Sequence, residues 1–328
     1  QNPAVGEEWR RGWHPEVIPA LDRPEPALIV GGGPAGLEAA RALAQRGGEV
    51  TLAEAGETWG GRVTLEAALP HLAPWARVRD ARLWDLHQRG NANLYLQSPL
   101  TAEDILAMGS PHVALATGAR WRRVGRGRAH RHALPFLDPS RVLTPDDLLQ
   151  SPAAPGDGPL VIYDDDRFYM ASLLAEQQAD AGRDVIFVTP APVVSPWSDK
   201  TLEQDRIQRR LIEKDVQILP LKTLADMGPD SLTLSCVYGG PDRDISCGSL
   251  VLVTARTPDD ALWHELQTRR ADWADAGLKT LTRIGDCLAP ALIAMAVQSG
   301  HAYARNFGLD HAPEPLREDF TPGAALPR

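Results

Sequence analysis

Residues 27–55 read ALIVGGGPAGLEAARALAQRGGEVTLAEA, and this stretch limits the fold more than any other in the chain. Ala27–Val30 is an apolar run of strand length. Pro34–Arg46 carries apolar residues at helical spacing and stops at Gly47-Gly48, and Val50–Ala53 is a second apolar run. Strand, helix and strand in this order make a βαβ unit, which demands a parallel sheet. Gly31, Gly33 and Gly36 fit G-x-G-x-x-G between the first strand and the helix. The first glycine permits a tight turn, the second lets the backbone approach a pyrophosphate, and the third lets helix and strand pack closely. Pro34 and Ala35 open the helix, whose N-terminus presents free N–H groups and a positive dipole end to phosphates. Glu54, followed by Ala55, ends the second strand, where a carboxylate binds ribose hydroxyls and repels a 2′-phosphate. The expectation is a seat for an adenine dinucleotide.

Three later segments extend that reading. Trp59-Gly60-Gly61-Arg62 follows the acidic strand end, where a Gly-Gly pair in flavoproteins lets the chain pass close to the dinucleotide. Ala116-Thr117-Gly118-Ala119-Arg120 resembles the flavoprotein ATG turn. Ile284-Gly285-Asp286-Cys287 resembles the late Gly-Asp turn whose acid lies near the ribityl–phosphate part of FAD. Their order predicts a discontinuous domain, residues 27–158 with 254–310, that binds an adenine dinucleotide such as FAD. Residues 159–253 form an inserted, degenerate NAD(P)-like domain, residues 1–26 a connector partly anchored by Trp9 and Trp13, and residues 311–328 a loose tail. The expected fold class is α/β, with two Rossmann-like three-layer domains, the second inserted in the first, as in disulfide-oxidoreductase-like flavoproteins.

The inserted part opens with LVIYDDDRFYMASLLAEQQADAGRDVIFVT, residues 160–189. This is a second βαβ pattern, but its turn holds Asp164, Asp165 and Asp166 where glycines would be expected. Asp164, Asp166 and Tyr169 approximate the three glycine positions. Side chains there block the backbone's approach to a diphosphate, and two unit charges at 4 Å repel by ~4 kcal/mol at an effective dielectric of 20. The expectation is a domain that keeps its shape and does not bind NADH or NADPH. A metal site built from the three aspartates is the weaker alternative, because consecutive residues point in different directions.

Bulk properties exclude other classes. Apolar content is 43%, charged content 23%, and net charge −9, which disfavours nucleic-acid binding through basic patches. No apolar run is long enough to span a membrane. Cys236, Cys247 and Cys287 show no CxxC spacing, and reduced thiols in a cytoplasmic protein are expected. Cys287 and His301 are read as packed rather than catalytic, and no catalytic or metal-ligating residue is assigned. Residues 199–215 read as a charged amphipathic helix with a solvated face. The chain begins at Gln1 and its first methionine is Met108, so a processed product or a piece of a longer protein is expected.

The ordered motifs also resemble a family. Gln1-Asn2, Gly6–Glu16, Gly31–Gly36, Gly60-Gly61, Ala67–Pro70, Ala116–Trp121, Phe168–Glu176, Leu250–Arg256 and Ile284–Pro290 follow the layout of the C-terminal half of trimethylamine-dehydrogenase-like enzymes. The likeness runs from residue 1 to about residue 310, and is greatest to the dimethylglycine and N-methylproline demethylase branch. The resemblance implies a longer flavoenzyme acting on CH–NH donors. Its N-terminal barrel would carry FMN and the amine site, and a four-cysteine segment a 4Fe-4S cluster. An electron-transferring flavoprotein would be the acceptor and a homodimer the assembly. In this family the first seat holds ADP in trimethylamine dehydrogenase and FAD in the related dienoyl-CoA reductases, which also bind NADPH in the second domain. The aspartates depart from the reductase pattern. A self-standing FAD-dependent NAD(P)H reductase and a non-catalytic nucleotide-binding module remain the alternatives.

Overall fold

A computed structural model describes residues 2–10, 12–13, 17–151 and 157–309. The tail expected at 311–328 lies outside the described residues, as do positions 152–156. In chain order the first stretch contains β1 (Ala27–Val30), α1 (Pro34–Gln45), β2 (Val50–Ala53), α2 (Arg62–Glu66), α3 (Arg77–His87), β3 (Ala92–Tyr95), α4 (Ala102–Met108), β4 (His112–Leu115) and β5 (Ala119–Trp121). The middle stretch contains β6 (Val142–Leu143), α5 (Pro145–Gln150), β7 (Leu160–Asp164), α6 (Met170–Asp180), β8 (Val185–Thr189), α7 (Gln204–Glu213), β9 (Gln217–Pro220), β10 (Lys222–Met227), β11 (Ser231–Cys236), β12 (Arg243–Ser246), β13 (Ser249–Val253) and β14 (Arg256–Pro258). The chain then returns through α8 (Ala261–Thr268), β15 (Thr280–Arg283) and α9 (Ile293–Asn306).

The fold is α/β with parallel sheets. One compact unit comprises 1–64, 74–119 and 258–328. Its five-stranded sheet has the order β15-β4-β1-β2-β3, and every neighbouring pair is parallel. β1 and β4 are buried at every residue, which is why β1 reads as a continuous apolar run rather than an alternating one. On one face α1 packs against α9 so closely that a Cβ at Gly300 would overlap the Ala35 carbonyl oxygen. Small residues make this approach possible: Ala39, Ala40, Ala42 and Ala304 are all inaccessible to solvent. Within the same layer Glu38 is buried and binds Arg41 (2.6 Å), Arg82 (2.7 Å) and His301 Nδ1 (2.9 Å). The N-terminal residues lie on this layer. Trp13 is buried edge-on to His301 at 5.3 Å between ring centroids, whereas Trp9 remains 45% exposed. His301 is therefore a packed residue, as read from the sequence.

The second unit comprises 65–73 and 120–257. Its parallel sheet has the order β6-β13-β7-β8-β9, and a three-stranded antiparallel sheet, β10-β11-β12, accompanies it. Its extent differs from the expected 159–253. β6 pairs with β13 at Leu250↔Val142 and Val251↔Leu143, which draws the preceding segment into this unit. Residues 65–73 join it through side chains: Glu66 Oε2 accepts from Tyr169 Oη at 2.9 Å, and His71 Nε2 lies 2.9 Å from Glu176 Oε1. The charged segment 199–215 divides into a 3₁₀ turn and α7, which buries only Ile207 and Leu211.

Candidate functional site: a dinucleotide seat

The first seat is assembled at the C-terminal end of β1. Gly31 follows the strand with φ +108°, and a Cβ on it would overlap the Ala116 carbonyl oxygen. A Cβ on Gly36 would overlap the Gly31 carbonyl oxygen. These two glycines are required by the protein's own packing. Gly33 is different, since a Cβ there meets no atom within 4 Å. The space in front of Gly33 is open, and Gly33 is also the N-cap of α1. No side chain caps that terminus, and no acidic residue lies in the first turn. An uncapped helix start with free N–H groups beside open space is a fitting place for a diphosphate.

The other predicted residues gather around this turn. Glu54 Oε2 accepts the Gly32 amide at 2.6 Å, and Oε1 accepts the Gly56 amide at 2.7 Å. The Gly60 amide donates to the Gly32 carbonyl at 2.8 Å, and a Cβ on Gly61 would stand 3.3 Å from Gly33 Cα. The Trp59–Arg62 loop therefore lies against the glycine turn. Arg62 Nη2 donates to the Ala119 carbonyl at 2.8 Å. Thr117 Oγ1 donates to the Asp259 carbonyl, and the Asp259 amide donates to the Gly118 carbonyl at 2.9 Å. Gly285 has φ +59°, and a Cβ there would be 2.5 Å from Ala35 Cβ. Asp286 Oδ1 accepts the Ala291 amide at 2.9 Å. The glycine turn, the Gly-Gly pair, the ATG turn and the Gly-Asp turn thus converge on one helix N-terminus. Cys287 is buried against Thr117, and burial pushes its thiol up, so it stays protonated and unreactive at neutral pH.

The profile of the FAD-dependent oxidoreductase family matches residues 27–211. The chain belongs to that family. A curated relative is dimethylamine dehydrogenase from Hyphomicrobium sp. (strain x), 34% identical over 93% of this chain and 45% of its own length. The structure of histamine dehydrogenase from Rhizobium sp. 4-9 superposes with a TM-score of 0.91 at 44% identity, covering 98% of this chain and 50% of that one. The 6-hydroxypseudooxynicotine amine oxidase of Pseudomonas geniculata N1 gives 0.89 at 41% identity, covering 94% and 46%. The chain spans about half the length of the curated relatives it matches.

The second unit's turn differs from the glycine turn of the first seat. Asp164 is the last residue of β7, paired with Val253 of β13. The turn itself is residues 165–169, longer than the three-residue turn of the first seat. The glycine-position match expected for Asp164 and Asp166 therefore does not hold residue for residue. The extra length has a local cause: Asp164 Oδ1 accepts the Arg167 amide at 2.7 Å, and Arg167 adopts φ +67°. Asp164 and Asp165 are fully buried. Burial pushes the Asp164 carboxyl well up, with Asp166 and Asp165 adding to it against the Arg167 contacts, and its Oδ2 has no hydrogen-bond partner. Asp165 Oδ1 binds Arg167 at 3.2 Å and Oδ2 accepts the Ala129 amide at 2.7 Å. Burial raises Asp166 too, while the charges of Arg256 and Arg128 oppose that rise. Tyr169 occupies the N-cap position of α6 without capping it by its side chain, and its hydroxyl donates to Glu66. Among the described residues no group of three or more His, Cys, Asp or Glu side chains could hold a metal ion.

Sequence reasoning missed Glu66 and the loop around Ala129. Glu66 had no signal, since it meets Tyr169 across 103 residues. The loop had one, a run of arginines in an acidic chain. Among the described residues no helix is long and apolar enough to cross a membrane.

Proposed function

We propose that this chain is the nucleotide-binding part of an amine dehydrogenase or demethylase, and that the first unit seats FAD or ADP. The observation that carries the reading is the α1 N-terminus, uncapped and open at Gly33, with Glu54 held beside it by two amides. The α1 N–H groups bind the diphosphate. Glu54 receives the ribose hydroxyls, and its charge selects against a 2′-phosphate. Arg62, Thr117–Ala119, Gly285 and Asp286 line the continuation toward the flavin end. FAD, when bound, supplies the redox chemistry of the seat; ADP would serve as a brace only.

The kinship to amine dehydrogenases and an amine oxidase supports a small amine as the reductant of the longer protein. In that protein an N-terminal barrel with FMN and a 4Fe-4S segment carries the amine chemistry, and an electron-transferring flavoprotein takes the electrons from a homodimer. The second unit's buried aspartates favour this over a reductase fed by NAD(P)H. The deciding experiment is release of nucleotide from the purified chain by heat, with its mass and visible absorption recorded. FAD or ADP in near-stoichiometric amount is expected. Release of no adenine nucleotide from freshly purified protein overturns the reading.

A further inference from the structure

Residues 120–132 read RWRRVGRGRAHRH, with six arginines, two histidines and no carboxylate, in a chain of net charge −9. The loop is firmly built. The Arg122 amide donates to the Ala255 carbonyl at 3.0 Å, and Arg122 Nε donates to Thr257 Oγ1 at 2.7 Å. The Leu134 amide closes the far side onto the Val124 carbonyl at 2.9 Å, and the Gly127 amide donates to the His130 carbonyl at 2.8 Å. Gly125, at φ +71°, lies so near Leu134 that a Cβ would stand 2.6 Å from its Cδ1. The loop's centre is tied to the second unit's turn, where the Ala129 amide donates to Asp165 Oδ2 and Gly127 leaves no room for a Cβ beside that carboxylate. The buried aspartate thus takes a loop amide of its own chain at the C-terminal end of β7, where a nucleotide phosphate would be expected.

The arginines divide by what they touch. Arg122 is bound to Thr257, and Arg123 to the Val142 carbonyl and Asp147. His130 is held low by burial, against the charge of Asp165, and adds no charge at neutral pH. Arg126, Arg128 and Arg131 point to an exposed surface. The Arg128 guanidinium lies 5.9 Å above the ring of Trp197, itself 48% exposed.

We propose that Arg126, Arg128, Arg131 and Trp197 form a docking surface for the acidic face of another protein. Arginine and tryptophan are the side chains that most often anchor protein interfaces. A loop already fixed in place loses little freedom on binding. The positive charge is concentrated in this loop while the chain as a whole carries −9, which disfavours an extended polyanion such as a nucleic-acid duplex. A protein patch of roughly 800 Å² per side can meet the loop alone.

The test uses fluorescein-labelled poly-L-glutamate as the probe and a labelled DNA duplex as the competitor class, at about 20 mM salt. The wild-type chain is expected to bind poly-L-glutamate at least about tenfold more tightly than a variant carrying Arg126→Glu, Arg128→Glu and Arg131→Glu, and to lose that advantage at about 200 mM salt. A control with Arg206→Glu and Arg209→Glu on the exposed side of α7 is expected to bind as wild type does. Equal binding by the triple variant overturns the proposal. Tighter binding of the duplex than of poly-L-glutamate overturns it in favour of nucleic acid. Loss of binding when the chain is joined to the further half that its relatives carry puts the loop inside that protein and also overturns it.

Discussion

The Glu54 carboxylate accepts the Gly32 amide at 2.6 Å across 22 residues, and so ties the acidic end of β2 to the middle of the glycine turn. A second amide, Gly56, holds the other oxygen. The carboxylate is aimed before any ligand arrives. Glu54→Ala is therefore expected to weaken adenine-nucleotide affinity by ~1–3 kcal/mol, the scale of a charge-assisted hydrogen bond. Calorimetric titration of nucleotide-stripped protein measures it, and an unmoved affinity would remove Glu54 from the seat.

Gly33 and Gly36 should fail differently. A side chain at Gly33 enters open space, and aspartate is a favourable helix N-cap, so Gly33→Asp should fold with an unchanged or raised Tm. Its carboxylate then occupies the diphosphate's place, and nucleotide retention is lost. Gly36→Ala drives a methyl into the Gly31 carbonyl and should lower Tm as well. Nucleotide content and thermal melts of both variants separate the two roles. Full nucleotide content in Gly33→Asp contradicts the seat.

The parts of the molecule that were legible in the sequence are those with local causes. The βαβ unit from β1 to β2 was readable because each strand is buried on both faces and the helix is built from alanine and leucine. The place of Glu54 beside the glycine turn was readable because it directly follows the end of β2. The second turn was readable as an aspartate turn in a βαβ frame but not in register, since spacing does not reveal the Asp164–Arg167 bond within it. β12 escaped because it buries only Ile245 and is otherwise polar, with no apolar period. The limits of the second unit escaped because β6 contributes two residues to its sheet, and Glu66 reaches Tyr169 from far away in sequence.

Glu38 should govern part of the acid stability. Burial opposes its ionisation, but hydrogen bonds from His301 and Arg41 and the charges of Arg41 and Arg82 win and hold it at about 2, against an ordinary value of 4.5. The folded value is depressed, so the stabilisation is present above 4.5 and is lost as pH falls toward about 2. It amounts to roughly 3 kcal/mol. Glu38→Gln is expected to lose about that much at neutral pH and to show a flatter stability profile between pH 5 and pH 2. Urea unfolding across this range is the measurement, and parallel profiles for the two proteins would rule the assignment out.

Asp164 predicts the opposite slope. Its folded value is raised by burial, so folding favours the protonated acid and stability falls as pH rises above the unfolded value of 3.8. Asp164→Asn keeps an acceptor for the Arg167 amide and removes the charge. It should be more stable than wild type at pH 8 by on the order of 1–3 kcal/mol, with the gap closing toward pH 4. Thermal melts at both pH values decide it; a variant less stable than wild type at pH 8 means that the ionised form is the native one.

The second unit should not bind NADH or NADPH. Its strand, helix and second strand are present as β7, α6 and β8, so the frame for a dinucleotide exists. The turn's carboxylates have the wrong sign for a diphosphate, and its bulky side chains are engaged within the unit. The turn bears Asp165 and Asp166 where glycine amides would be exposed, and Asp165 holds the Ala129 amide. At the start of α6 stands Tyr169, not a small residue, and its hydroxyl is bound to Glu66. Replacing Asp164 and Asp166 with glycine removes two carboxylates but leaves Asp165, Tyr169 and Glu66 in place, so binding should not return. Titration of the wild-type chain with NADPH, followed by nucleotide fluorescence, is expected to show no saturation. Saturable binding at about micromolar concentration, lost on adding an Arg167→Glu change, would mean that the aspartates leave this seat open and would return the NAD(P)H-dependent reductase reading to first place.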